Sequence, residues 1–208
     1  MIAPQSFIDL LKGSGITCDA VISAMVNIDR TSFVETALHQ YAWLDQTLPI
    51  GNEQTISLPS VVAKMTQSLE LKKSDKVLEI GTGCGYQTSI LSKLAGQIYT
   101  VERHPSLSKM AKQRFDNMKI YNVITMVDDG GHGFKNQAPF DKIILTCSAI
   151  DIPTDLTEQL KLGGIMIVPV GEQGEEQDLL KITKLEDGID IEELGKVDFV
   201  PMLEGLGF

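Results

Sequence analysis

The sequence predicts an α/β fold: a doubly wound, mostly parallel, Rossmann-like sheet of seven strands, with helices on both faces and a small helical extension at the N-terminus. Three observations carry this. After Ser74-Asp75, apolar strand-like runs alternate with helical patterns, and such alternation implies parallel strands joined by right-handed crossovers. The run Lys76-Val77-Leu78-Glu79-Ile80 passes through Gly81, Gly83 and Gly85 into a helix; glycine there allows positive φ and lets a ligand touch the main chain. Finally, Glu102 ends the next strand-like run, Gln97 to Val101, where a carboxylate can accept hydrogen bonds from both hydroxyls of a ribose.

Taken in order, residues 6–12 and 19–28 place Phe7, Ile8 and Leu11, then Val21, Ile22, Met25 and Val26, at helical spacing, with a break at Gly13-Ser14-Gly15. Residues 29–58 show little periodicity but hold Trp43 and many turn residues. A long irregular segment in a compact chain is more often functional than idle. From Pro59, which suits the first helical position, Val61, Val62, Met65 and Leu69 share a face. Strands are then expected near 76–80, 97–101, 122–127, 141–146 and 164–169, and helices near 86–94, 105–118 and 153–161. Two last strand-like runs, about 178–184 and 195–201, joined through Asp187-Gly188, read as an antiparallel addition. This divides the chain into a segment 1–58, helical and on the substrate side, and a ligand-binding core 59–208, packed as one unit.

Composition narrows the function. With 208 residues, 43% hydrophobic and 22% charged, the chain is long enough for a real core and ordinary for a globular protein. No run approaches the roughly 20 apolar residues of a membrane span, so no membrane partner is expected. The start, Met1-Ile2-Ala3-Pro4-Gln5-Ser6, lacks a basic region followed by an apolar core, so a cytoplasmic location is expected. Cys18, Cys84 and Cys147 are widely spaced, and so are His39, His104 and His132, which argues against a disulfide framework or a metal site. The net charge of −10 opposes attraction to phosphate backbones, so nucleic acid is not the expected partner. The acidic stretches 172–178 and 186–193 read as solvated loops and turn faces. A monomer is expected.

In an open α/β sheet the ligand lies beyond the carboxyl ends of the strands, at the switch point. The turns at Gly81, Glu102, Asp128-Asp129-Gly130 and Thr146-Cys147 are therefore expected to line one crevice. Asp129 suits two roles there: accepting from an adenine amino group, or capping the turn before Gly130-Gly131. The spacing Gly-x-Gly-x-Gly differs from the Gly-x-Gly-x-x-Gly that cradles a dinucleotide pyrophosphate. It resembles motif I of class I S-adenosylmethionine (SAM)-dependent methyltransferases. A nicotinamide or flavin site, and a bare strand-to-helix turn, remain the alternatives on spacing alone.

From about Asp29 to Pro201 the chain resembles the protein-L-isoaspartate O-methyltransferase family. The residues that carry the resemblance are Phe33-Val34, Leu48-Pro49-Ile50-Gly51, Gln54-Thr55-Ile56-Ser57, Val77 to Gly83, Ala138-Pro139-Phe140-Asp141, Gln159-Leu160-Lys161, Gly163-Gly164, Val168-Pro169-Val170-Gly171 and Phe199-Val200-Pro201. It implies SAM as cofactor, S-adenosyl-L-homocysteine as product, no metal, and protein or peptide substrates carrying isoaspartyl residues. Carried over by residue, Glu79, Gly81, Thr82, Gly83 and Gly85 would hold the methionine part of SAM. Glu102 and Arg103 would hold the ribose, and Asp129 with Gly130 the adenine side. Thr55, Ile56 and Ser57 would form a lip over the methyl group, with Ser57 as the catalytic residue, and Leu58 and Thr146 would join Ser57 at the substrate. Three positions depart from the family's usual pattern: Leu58 where Gln is usual, Asp128 where Gly is usual, and Trp43 where Tyr is common. The first two fall where the pocket is expected, so they bear on the choice of acceptor. Rival readings are a methyltransferase of the same fold with another acceptor, a SAM-binding relative without turnover, and a nicotinamide dehydrogenase.

Overall fold

The computed structural model describes residues 2–207. Two helices, α1 (Gln5–Gly13) and α2 (Asp19–Val26), lead into two 3-10 turns, Arg30–Phe33 and Thr36–Tyr41. A hairpin follows, β1 (Leu48–Gly51) and β2 (Gln54–Ile56), and then α3 (Pro59–Ser68). The remaining elements are β3 (Lys76–Ile80), α4 (Tyr86–Leu94), β4 (Gln97–Glu102), α5 (Pro105–Asn117), β5 (Val123–Val127), β6 (Phe140–Leu145), α6 (Thr154–Glu158), β7 (Leu160–Val170), β8 (Gln177–Leu185) and β9 (Gly188–Val197). Seven strands form one sheet in the order β5-β4-β3-β6-β7-β8-β9. Pairing is parallel from β5 to β7, and β8 and β9 run antiparallel. The chain leaves β3 toward β4 and β5, then returns to the other side of β3 as β6. The switch point therefore lies at the carboxyl end of β3, where ligands bind in such sheets.

β3 shows why the centre is apolar on both faces. Its alternate residues enter different clusters: Val77 packs with Met65, Leu91 and Ile98, while Leu78 and Ile80 pack with Phe140, Leu145 and Val168. The turn after it runs through Gly81 at φ +91° and Gly85 at φ +88°. A Cβ on Gly85 would sit 2.7 Å from the Phe115 ring of α5, so α4 starts on a residue that only glycine suits.

α1 and α2 pack on α3 and α4, and one apolar cluster runs from Ala3 and Phe7 through Ile56 and Val62 to Tyr86 and Ile90. Trp43 belongs here, meeting Phe7 edge to face at 5.0 Å. The helical extension thus buttresses α3 and α4 from behind. As expected, α3 begins at Pro59; Leu58 before it makes no side-chain capping bond, and Asp45 serves instead, its carboxylate accepting from the Ser60 N–H at 2.9 Å.

Three expectations are corrected. The helix expected over 153–161 ends at Glu158, because Leu160 already pairs with Phe140 and begins β7. The last strand was expected at 195–201 but spans Gly188–Val197, directly after the Asp187-Gly188 turn. It lies at the sheet edge with Ile189 and Ile191 exposed, and Leu194 and Val197 are its residues that pack against the core. Most of the acidic run 186–193 therefore belongs to an edge strand, where charge discourages pairing with another sheet. The irregular segment also contains the β1–β2 hairpin, turned by Asn52 and Glu53 at φ +53° and +58°.

Candidate active site

A cavity of about 280 Å³ opens at the switch point. Its floor is Gly81-Thr82-Gly83 with Gly130, and one wall is Glu102-Arg103-His104. The hairpin and Thr55-Ile56-Ser57 form its roof, while Thr146 and Cys147 close the side nearest β6. Phe199 to Leu203 cross the remaining opening. Tyr86 and Gln87, from the first turn of α4, complete it.

Each part has a local cause. The Gly81 N–H donates to the Val101 carbonyl at 2.8 Å, so the turn is a continuation of the β3–β4 ladder. The Thr146 hydroxyl donates to the Gly81 carbonyl at 2.5 Å and the Ile80 carbonyl at 3.1 Å, and a Cβ on Gly81 would lie 2.4 Å from that same oxygen. Thr146 therefore lines the cavity, but its hydroxyl holds the glycine turn. Glu102 accepts from the Gly83 N–H at 2.7 Å and the His104 N–H at 2.9 Å, one on each oxygen. Each oxygen keeps a lone pair, and Glu102 lines the cavity. Ser57 is half-buried and tied by its carbonyl to Arg30, and its hydroxyl has no partner among the described residues.

Of the residues expected at the site, the fold brings together Thr55, Ile56, Ser57, Gly81, Thr82, Gly83, Glu102, Arg103, Gly130 and Thr146. Four do not line the cavity. Gly85 is held against Phe115. Leu58 stands at the start of α3, turned away from the lip. Asp129 caps the turn: its carboxylate accepts from the Gly131 N–H at 2.8 Å and, on its other oxygen, from the Gly205 N–H at 2.6 Å. Those bonds hold its carboxyl below the usual carboxylate range despite partial burial, which alone would raise it. Arg103 does both jobs, lining the cavity while donating to the carbonyls of Gly205 and Glu204.

Glu79 is the fourth. It is fully buried beneath the turn and accepts from the Thr88 and Thr100 hydroxyls at 2.5 and 2.6 Å; Thr100 in turn meets the Thr82 hydroxyl. Burial, opposed by those two hydroxyls and helped by the charge of Glu102, pushes its carboxyl up to about 8. An unfolded glutamate ionises near 4.5, so between these values the unfolded chain has released a proton that the folded chain keeps. Rising pH then destabilises the fold. Glu79→Gln, neutral throughout, is expected to gain stability relative to wild type as pH rises from about 5 to about 8. Urea denaturation at the two ends of that window checks this; parallel curves would contradict it.

Two departures from the family pattern matter less than their sequence position suggests. Leu58 and Asp128 both lie outside the cavity lining, and Asp128 is exposed, its carboxylate accepting from the Asp129 N–H. Burial pushes the Cys147 thiol up to about 12 and also raises that of Cys84. Among the described residues no cluster of His, Cys, Asp or Glu suits a metal ion, and no helix is long and apolar enough to cross a membrane.

Sequence reasoning missed the strap from Phe199 to Leu203. Its Val200 carbonyl accepts from the Ser148 N–H and its Met202 N–H donates to the Ser148 carbonyl, both at 2.8 Å, while Gln177 bonds both backbone groups of Phe199. Pro201 was the available signal, since proline ends a ladder and sends the chain out of the sheet.

Comparison with known proteins agrees with this geometry. The family model described as protein-L-isoaspartate(D-aspartate) O-methyltransferase matches residues 3–207. A protein-L-isoaspartate O-methyltransferase of Roseobacter denitrificans is 48% identical over 98% of this chain and 95% of its own length. A solved protein-L-isoaspartate O-methyltransferase superimposes with a TM-score of 0.88 at 27% identity, covering 98% of this chain and 67% of that one. A Plasmodium falciparum protein assigned to the same activity, solved with S-adenosyl-L-homocysteine, gives 0.82 at 25% identity over 95% and 97%.

Proposed function

Because the chain belongs to the protein-L-isoaspartate(D-aspartate) O-methyltransferase family, we propose how its cavity divides the work of that reaction. The protein is a SAM-dependent enzyme that methylates the carboxylate of L-isoaspartyl residues in damaged proteins or peptides. The ester then closes to a succinimide with loss of methanol, and hydrolysis of the succinimide partly restores normal aspartate. When bound, SAM supplies a methyl group on a positively charged sulfur, and its transfer to a carboxylate oxygen leaves S-adenosyl-L-homocysteine.

The observation that carries the assignment of residues is the strand-end arrangement: a bare glycine floor beside a carboxylate, facing a lip with a free hydroxyl. The main chain of Gly81, Thr82 and Gly83 suits the methionine end of SAM. Glu102, with its remaining lone pairs, suits the ribose hydroxyls, and Gly130 and Arg103 suit the adenine side.

The acceptor needs little activation. A carboxylate has a reference pKa near 4 and is ionised at neutral pH, so the site needs no strong general base. Its tasks are alignment and exclusion of water, and well-aligned intramolecular reactions gain about 7–11 kcal/mol. The hairpin and the strap supply the cover. Thr55 and Ile56 form the lip, and the Ser57 hydroxyl donates to the acceptor carboxylate and orients it.

Ser57→Ala is expected to lower kcat on an isoaspartyl peptide by roughly tenfold to a hundredfold while SAM affinity changes less than about threefold. Initial rates with calorimetric SAM binding test this; equal kinetics for the two proteins would remove Ser57 from the mechanism.

A further inference from the structure

Arg30 stands beside the site without a role in the account above. It is 0% exposed and forms no ion pair among the described residues. Its Nη2 donates to the Ser57 carbonyl at 2.7 Å, and its guanidinium lies over the Tyr86 ring, 4.6 Å from the ring centre. Nε and Nη1 are buried without hydrogen-bond partners, as is the Tyr86 hydroxyl. Tyr86 itself lines the cavity.

A guanidinium is an expensive way to fill space. Removing it from water costs several kcal/mol unless partners compensate, and an apolar side chain of similar volume would avoid that cost. Stacking on Tyr86 recovers part of it, because the ring face attracts a cation. The remaining feature is direction: its one hydrogen bond goes to the main chain of the residue that faces the acceptor.

We infer that Arg30 is a positioning and selectivity residue for the methyl acceptor. It fixes the Ser57 main chain at the lip and places an unneutralised positive charge behind it that favours an anionic acceptor. This rests on the reading of Thr55 to Ser57 as the acceptor lip. The acceptor carboxylate loses its charge as the ester forms, so a cation behind the lip stabilises the bound anion more than the transition state. Its contribution therefore falls on peptide KM, with kcat little changed or slightly reduced by it. The charge sits one residue back, where it attracts the carboxylate without pairing with the oxygen that must take the methyl group.

Two variants separate the parts. Arg30→Gln keeps a donor for the Ser57 carbonyl and removes the charge; Arg30→Lys keeps the charge on a flexible stem. Peptide KM and kcat, SAM affinity by calorimetry, and inhibition by the matching neutral isoasparaginyl peptide are measured on each. R30Q is expected to raise peptide KM about tenfold or more, with kcat within about threefold and SAM affinity unchanged. R30K should return KM to within about threefold of wild type, and the preference for the isoaspartyl over the isoasparaginyl peptide should narrow only in R30Q. Wild-type kinetics in R30Q would overturn the inference. So would peptide KM and SAM affinity weakening together in both variants, which marks Arg30 as packing alone. Where R30Q does not fold, R30K decides: KM near wild type supports the charge, and a loss of about tenfold overturns it. A wild-type protein inactive on the isoaspartyl peptide overturns the acceptor reading instead, and SAM binding to that protein distinguishes the two failures.

Discussion

Gly81→Ala is expected to weaken SAM binding by roughly 30-fold to 1000-fold while the protein still folds. Two costs combine. Gly81 sits at φ +91°, where a non-glycine residue costs about 1–3 kcal/mol. The new Cβ would also lie 2.4 Å from the Thr146 Oγ1, so Thr146 must turn away and give up its hydroxyl hydrogen bond, shared between the Gly81 and Ile80 carbonyls and worth about 1 kcal/mol. The Gly81 N–H bond to Val101 already holds the turn in this shape, so part of the cost falls on folding and part on binding. Calorimetric titration with SAM, alongside a thermal melt, reads both parts. A dissociation constant within about threefold of wild type would mean that the turn is not the cofactor floor.

Glu102→Gln is expected to weaken SAM binding by roughly 30-fold to 100-fold and to lower the melting temperature. The change looks conservative but is not. Both oxygens of Glu102 accept a backbone N–H, from Gly83 and from His104. An amide offers one acceptor and one donor, so its NH2 must face one of those N–H groups. One buried N–H loses its partner, and a hydrogen bond to a charged group is worth about 1.5–3 kcal/mol. The ribose loses an acceptor as well. Glu79→Gln makes the contrast, since Glu79 lies below the floor; its SAM affinity should stay close to wild type. Comparable losses of affinity in both variants would contradict the separation of the two acids into one that faces the cavity and one that supports it.

The parts of the site that could be read from the sequence are those fixed by local geometry. A buried strand followed by alternate glycines has few ways to turn, and an acid at the end of the next parallel strand must face the same crevice. Ser57 was named by the family resemblance, and the structure places it among the cavity-lining residues. What stayed hidden depends on partners far along the chain. Asp129 and Arg103 read as cofactor residues, yet both also hold Gly205, 76 and 102 residues away, and no local pattern announces those contacts. β9 is an edge strand in which Ile189 and Ile191 are exposed and only Leu194 and Val197 pack on the core, so no single buried face marks its length. The β1–β2 hairpin is three to four residues long on each side, too short for periodicity to show, although Gly51-Asn52 marks its turn. Arg30 is the hardest case. A buried, unpaired arginine contradicts its residue type, and only the packing of Tyr86 and the Ser57 carbonyl reveals it. Leu58 and Asp128 illustrate the reverse: conspicuous in the sequence, they sit outside the cavity lining.

The central claim is that this cavity transfers a methyl group from SAM to an isoaspartyl carboxylate. The most direct test supplies SAM with a labelled methyl group to a short isoaspartyl peptide, with the matching normal aspartyl peptide as control, and collects volatile methanol after base treatment. Label on the isoaspartyl peptide alone, released as methanol, is the predicted result; it establishes acceptor and ester together and shows that Leu58 and Asp128 are tolerated. Intact SAM binding with no label on the isoaspartyl peptide, or equal label on both peptides, would contradict it.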